Sequence, residues 1–551
     1  MTALPLSVRV GLFAALAVVA VGSLVIGARE QWREGDIPGP HDTRSWWRTA
    51  RLLLPVEAAV GLVALVSAVA FGQSGGGSPA PAAAVAAASA GSPLLMTGGG
   101  PRLVPIAIAP GLPGANRLVV GVEERDADGV LQPAAGVTGV LLRLACDGCG
   151  AAPSTLRLAA APGSPWFTGT VTLAAGSWAI SPVIEAASPS AIRTVSASID
   201  AARPGDVLVG VPADLSGPFG SACQNHAAGL ELAFGATGTS SSGPRPRVVL
   251  DDVEAGGPAA AVDRLAGLGV RLLAAPCGQA GTVGDVAGAA TRLRLPVVGG
   301  LRSEGPSPYV WRTGVDQAAE GAALAAQVRS LGAASALVVA GPRPEQAAEA
   351  AAVEAALGRE GIAHEGLAIA PGDDPATLAT RLRARDPAVL VLVATPRRAL
   401  PLVEASTRAG WRPARGIVAS SDLMSVSFAE DAAPYLDGTP LLVASELDPS
   451  DAAAREYAGA LHRLSPLRPP GIEGARGYYA GLVVDHAVSA SGGDPSPAAL
   501  EHALQTDFMG WAVGLFRLDW EATGGGPDRL AFFTPAPGGR FVRDGAPVAV
   551  G

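Results

Sequence analysis

Cys223 and His226 stand three residues apart at the start of a stretch with helical period, a spacing that could bring a thiol and an imidazole together. A cysteine nucleophile also needs a group that orients its base and donors that hold an oxyanion, and no residue pattern supplies either. Asp251-Asp252 and Asp373-Asp374 are paired carboxylates of the kind used in acid–base chemistry, but their neighbours read as a strand end and a loop. Cys146-Asp-Gly-Cys149 has the spacing of half a thiolate metal site, yet no further ligand follows nearby. These two cysteines read either as a local disulfide or as two free thiols at a hairpin turn. There is no phosphate-cradling glycine loop of the P-loop type. The expectation is a protein that catalyses no reaction and holds no cofactor or metal.

The elements that carry these residues belong to several units. A chain of 551 residues is too long for one core, since domains run to about 100–200 residues. It is 49% hydrophobic and 16% charged, with a mean hydropathy of +0.33, which points to a membrane segment. A net charge of -9 argues against nucleic acid, because neutralising phosphates takes an excess of basic groups. Two apolar runs, 10–28 and 52–71, each match the length of a membrane-crossing helix, the second interrupted only by Glu57. The first is too long for the apolar part of a secretory signal. Arg29, Arg33, Arg44, Arg48 and Arg51 lie between them, so this short loop is expected in the cytoplasm and everything after Phe71 outside it. Residues 1–72 thus read as a two-span membrane anchor.

Residues 73–100 are mostly Gly, Ser, Ala and Pro without charge, the composition of a flexible tether. From 101 to 202 short alternating runs such as Arg117-Leu-Val-Val-Gly-Val-Glu123 and Thr168-Gly-Thr-Val-Thr-Leu173 read as about seven antiparallel strands, hence a small β-sandwich acting as a spacer. Ser45-Trp-Trp-Arg-Thr-Ala-Arg-Leu-Leu-Leu-Pro-Val-Glu57 resembles the last membrane helix of the copper-resistance D family. Pro110-Gly-Leu-Pro-Gly-Ala-Asn116 and Leu173-Ala-Ala-Gly-Ser-Trp178 resemble copper-resistance C and YtkA-like sandwiches, which share the immunoglobulin-like form. Copper binding does not carry over, because the segment lacks the His and Met ligands that copper prefers.

After Arg203-Pro-Gly205 apolar runs alternate with alanine-rich stretches of helical period. Asp206–Val211, Arg247–Leu250, Leu272–Ala274 and Pro296–Val298 read as parallel strands with helices between them, and the rhythm restarts at Ala336–Val339. Two such halves imply two α/β lobes, about 205–315 and 330–445, with the remaining chain crossing back to both. Ligands bind beyond the carboxyl ends of strands in such sheets.

Val209-Gly-Val-Pro-Ala-Asp-Leu-Ser-Gly-Pro-Phe219, Pro308-Tyr-Val-Trp-Arg-Thr-Gly-Val-Asp-Gln317, Gly474-Ala-Arg-Gly-Tyr-Tyr-Ala-Gly481 and Phe516-Arg-Leu-Asp519 fall in one order. In that order residues 203–551 resemble the type I periplasmic binding proteins, the leucine/isoleucine/valine-binding group of transporter receptors. The resemblance implies a clamp in which lobe one holds a carboxylate and lobe two an ammonium. It assigns Ser216, Gly217, Pro218, Phe219, Gly278, Gln279, Leu301 and Ser303 to the ligand in lobe one. In lobe two it assigns Thr395, Ser421 and Asp422. Two departures stand out: Gly278-Gln279 replaces the usual serine pair, and Gly341-Pro-Arg-Pro-Glu345 lacks the usual aromatic. The resemblance also brings the loops of Cys223 and Cys277 together, as a disulfide or as two buried thiols. It implies a small-molecule ligand (amino acid, amide or carboxylate), a membrane setting and an ABC transporter permease as partner. The alternative is a sensing or scaffolding receptor with a degenerate clamp.

Overall fold

The computed structural model describes residues 92–549, apart from 100–101, 126–130, 162–163, 187–189, 237–243, 300–308, 493–494, 509–510, 519–525 and single positions at 280, 371, 437, 467, 469 and 528. The expected spans at 10–28 and 52–71 lie outside the described residues. Among the described residues no helix is long and apolar enough to cross a membrane.

Eleven described strands between Leu94 and Ile199 form the first unit. Alternation along Gly176–Glu185 buries Trp178, Ile180 and Ile184 on one face, as the two-residue side-chain period requires. The strand Ser154–Ala160 pairs with Gly139–Asp147 as far as Leu158 and then with Phe167–Leu173 from Ala159 onward. It therefore passes from one sheet to the other, and both sheets close on a core that includes Ile106, Leu118, Leu142 and Ile180. Cys146 and Cys149 are joined by a disulfide.

Two expectations change here. The tether ends before Gly100, because Leu94–Gly99 pairs antiparallel with Arg102–Ala109. Its Gly-rich surroundings concealed two leucines, Leu94 and Leu95, which are both buried. Nor is the sandwich a spacer. Along Arg102–Ala109 every residue after the first is buried, the signature of a strand covered on both faces. Ile106 and Ile108 enter the sandwich core, while Ala107 and Ala109 share a second core with Val209, Leu250 and Tyr478.

That second core belongs to lobe one. Its sheet runs Arg245–Asp252, Asp206–Ala213, Leu272–Ala274, Val297–Val298, Val310–Trp311, all parallel. The helix Gly220–Ala236 covers it and is crossed by the later helix Ile472–Ala490. The two backbones approach so closely that a Cβ on Gly229 would strike the Gly474 carbonyl, and one on Gly477 the His226 carbonyl. This contact explains Gly477 and Gly481, while Gly474 makes room for the Tyr457 hydroxyl.

Lobe two has a sheet in the order Ala363–Ala368, Ser335–Ala340, Val389–Val393, Gly416–Ala419, Leu441–Ser445, all parallel. Two antiparallel strands, Arg529–Ala536 and Arg540–Ala549, extend its edge. The chain passes between lobes after Trp311, after Ser445 and between Leu518 and Arg529. Lobe two has its own apolar clusters, built around Leu392, Phe428 and Phe533 and around Val338, Leu357 and Phe532.

Candidate functional site

The first strand of lobe one delivers the loop Asp214–Phe219, which is organised from inside. Asp214 is fully buried, and its carboxylate accepts from Gly217 N at 2.5 Å and Phe219 N at 3.1 Å. Burial pushes this carboxyl up to about 6, against the lowering effect of those two backbone donors. The Ser216 hydroxyl donates to Asp252 Oδ2 at 2.7 Å, and Asp252 Oδ1 accepts from Leu215 N at 3.1 Å. Pro218 is exposed and Phe219 half-buried, so these two form the loop's outer rim.

The sandwich holds this loop from behind. Arg117 Nε donates to Asp252 Oδ2 at 2.9 Å, and the Ser164 hydroxyl donates to the Ser216 carbonyl at 2.5 Å. Trp166 lies against Gly220 so tightly that any side chain there would collide with the indole. Sequence reasoning placed Asp252 at a strand end but missed that it ties Ser216 to an arginine of the preceding unit.

The loop after the third strand runs alongside. Asp214 N donates to the Cys277 carbonyl at 2.8 Å. A disulfide joins Cys223 to Cys277 across 5.3 Å between their Cα atoms, so neither sulfur is a thiolate nucleophile. His226 faces Glu473, with Nδ1 3.8 Å from Oε2, and not Cys223. Gly278 is half-buried beside Thr282, where a Cβ would collide, and Gln279 is exposed. Leu301 and Ser303 lie outside the described residues.

In lobe two the assigned residues follow neighbouring strands. Thr395 is half-buried at the start of the helix Pro396–Arg408, its carbonyl accepting from Arg398 N and Ala399 N. Ser421 is fully buried; its N–H donates to Glu320 Oε1 at 2.8 Å and its hydroxyl accepts from Arg476 Nη2 at 2.9 Å. Asp422 is half-buried and accepts from Gln346 Nε2 at 3.2 Å. From the loop that lacks an aromatic, Arg343 sets its guanidinium 5.1 Å from the centre of the Phe219 ring, a cation–π contact from lobe two to lobe one.

Arg476 is the functional residue that sequence reasoning missed. It sits on the lobe-one helix Ile472–Ala490, yet its Nε donates to Glu446 Oε1 at 2.6 Å, at the exit of the last parallel strand of lobe two. Glu473 Oε1 is 3.1 Å from its Nη1. The available signal was Arg476 within the stretch 474–484, which holds no other charged residue, since a buried charge must be paired.

The arrangement is a pair of hinged lobes with polar groups at facing strand ends and no nucleophile–base pair among the described residues. The family model for periplasmic binding proteins matches residues 206–540, and the chain belongs to that family. Solved structures with a similar fold include the leucine-binding protein LivK of Thermotoga maritima, at 15% identity, covering 62% of this chain and 99% of that one with a TM-score of 0.50. An ABC transporter substrate-binding protein from Sphaerobacter thermophilus aligns at 17% identity, over 63% of this chain and 98% of that one, with a TM-score of 0.54. A solute-binding protein of an ABC transporter from R. palustris, in complex with benzoate, aligns at 17% identity over 62% and 98%, with a TM-score of 0.51. No curated protein matches the chain.

Proposed function

We propose that the protein is a membrane-anchored, extracytoplasmic solute receptor that captures a small polar molecule between its lobes for an ABC transporter. The observation that carries this reading is the contact of Arg343 with Phe219. It joins the rim loop of lobe two to that of lobe one; Gly278 and Gln279 follow a lobe-one strand, and Thr395 and Asp422 follow strands of lobe two. In this reading the Gly278 N–H and Gln279, with Leu301 and Ser303, hold a carboxylate, and Asp422 holds an ammonium. Ser216 to Phe219 form the lobe-one wall, and Ser421 backs Asp422. The apolar runs 10–28 and 52–71 supply the anchor. The printed ligands of the similar structures, leucine and benzoate, are both carboxylates, which fits the class proposed.

A second reading, a sensing or scaffolding receptor with a degenerate clamp, is favoured by a specific feature. Asp214 already takes the N–H groups of Gly217 and Phe219, and Arg476 already engages the Ser421 hydroxyl. Thermal-shift screening of the full chain in lipid nanodiscs against amino acids, amides and carboxylates separates the two. A ligand at 100 times its Kd adds about 2.7 kcal/mol of stability. Asp422→Ala is expected to weaken an ammonium-bearing ligand about tenfold or more, since it removes a charge-assisted hydrogen bond. If no compound raises the melting temperature, the transport reading fails and the scaffolding one stands.

A further inference from the structure

A chamber of about 450 Å3 opens beside the second crossover, and it shares no lining residue with the cleft positions above. Leu447 and Pro449 of the crossover form part of it. Met424 and Phe541 come from lobe two, Tyr457 and Ala475 from helices that pack on lobe one. The volume lies within the range of small-molecule sites, about 300–1,000 Å3, and the walls are overwhelmingly apolar. Tyr457, the one phenol there, is itself buried and hydrogen-bonded at Gly471.

Among the described residues the charged side chains lining the chamber are Arg455 and Arg540, and no aspartate or glutamate lines it. Both arginines are exposed, and among the described residues neither is in an ion pair. Arg455 donates to the Ser450 carbonyl and Arg540 to the Pro537 carbonyl, which leaves most of each guanidinium fork available. An apolar hollow with two cations and no anion is complementary to a molecule with an apolar body and one negative head. The body gains by leaving water, and the head stays at the wet mouth where a guanidinium can grip a carboxylate in bidentate fashion.

We propose that this chamber is a second binding site, for an amphipathic carboxylate of medium length. Because its walls come from both lobes, an occupant touches each of them and biases the hinge, so the site is coupled to the clamp. The inference stands apart from the cleft reading and does not require the cleft to bind anything.

Octanoate is the probe, with 1-octanol as its uncharged counterpart, both titrated against the full chain in nanodiscs with empty nanodiscs subtracted. Saturable octanoate binding, about tenfold or more tighter than octanol, is expected, as is loss of that preference in the double variant R455Q/R540Q. Ala458→Trp, which fills the chamber, should abolish both. A diazirine-bearing carboxylate on the unaltered protein should label 424–426, 454–458 or 538–541, a readout that holds even if the tryptophan variant does not fold. Absence of saturable binding, a carboxylate preference that survives R455Q/R540Q, or labelling at 216–219 or 277–279 instead would each overturn the proposal.

Discussion

Lobe one has two seams, and they are built differently. Against the sandwich it forms a continuous apolar core, in which Leu94, Ala107, Val119 and Trp166 join Val209 and Tyr478. Fully buried groups reinforce that seam: Arg468 donates to Glu123 at 3.1 Å, each with under one tenth of its side chain exposed. Against lobe two the polar contacts run through Arg476 with Glu446 and Ser421 and through Arg343 over Phe219, beside a smaller apolar contact in which Ile472 packs on the lobe-two cluster. An apolar seam resists opening because separation returns its whole area to water, whereas a few polar contacts exchange for water at small net cost. The comparison predicts that sandwich and lobe one move as one body and that lobe two moves against them. A fragment starting at Arg203 would strip Trp166 and Leu94 from that body. Any shortened form should therefore begin at or before Ser92.

The largest test of this contrast is Trp166→Ala, which should cost about 3–5 kcal/mol in chemical denaturation, as large-to-small core changes do. A loss under about 1 kcal/mol would mean the seam is superficial. Next comes the pair Arg468→Ala and Arg476→Ala. Each removes the arginine from a buried ion pair and should cost about 3–5 kcal/mol, less where water can reach the remaining carboxylate. They should differ in kind: small-angle scattering is expected to show altered lobe opening for Arg476→Ala and none for Arg468→Ala. The opposite pattern would reverse the assignment of rigid and moving parts.

A third test uses pH. The Ser92 hydroxyl has one proton and lies 2.5 Å from the Leu94 carbonyl, which can only accept, and 2.6 Å from Glu231 Oε2. Glu231 Oε2 accepts from the Ser92 hydroxyl, and burial outweighs that donor to push the carboxyl up to about 8. A raised carboxyl stabilises the fold fully below its ordinary range, and that contribution is lost as pH rises through about 8. Melting temperature should therefore fall from about pH 4.5 to about 8 and level off above, and Glu231→Gln should flatten that fall. Asp214 acts in the same direction at lower pH, up to about 6. An unchanged slope in Glu231→Gln would show that the seam does not depend on this proton. The smallest effect belongs to the rim: Arg343→Ala should remove about 0.5–1 kcal/mol and shift the clamp toward open forms, read as a faster on-rate for whatever the cleft binds.

Much of this was legible beforehand, and the reasons are local. The βαβ rhythm named the two lobes because parallel strands buried on both faces read as unbroken apolar runs, as Val389–Val393 does. Leu272–Ala274 fell where alternation placed it, while the helix Gly220–Ala236 began four residues before Gln224, since the caps and glycines of a loop blur a boundary. The strand Leu94–Gly99 escaped because only its hairpin pairing with Arg102–Ala109 makes a strand of two leucines set among glycines.

What the sequence determined by itself was everything periodic or compositional: the alternation of the sandwich and the doubling of the α/β half. These follow from each residue's own chain neighbours, which are fixed before folding. What only the tertiary structure decided was which polar groups are already taken. Asp214 with Gly217 is a neighbour pair, but Ser216 with Asp252 and Arg117, Ser421 with Arg476, and Glu231 with Ser92 join residues tens to more than a hundred positions apart. Hydrogen bonds of that kind depend on distances of tenths of an ångström between distant segments, and no spacing along the chain encodes them.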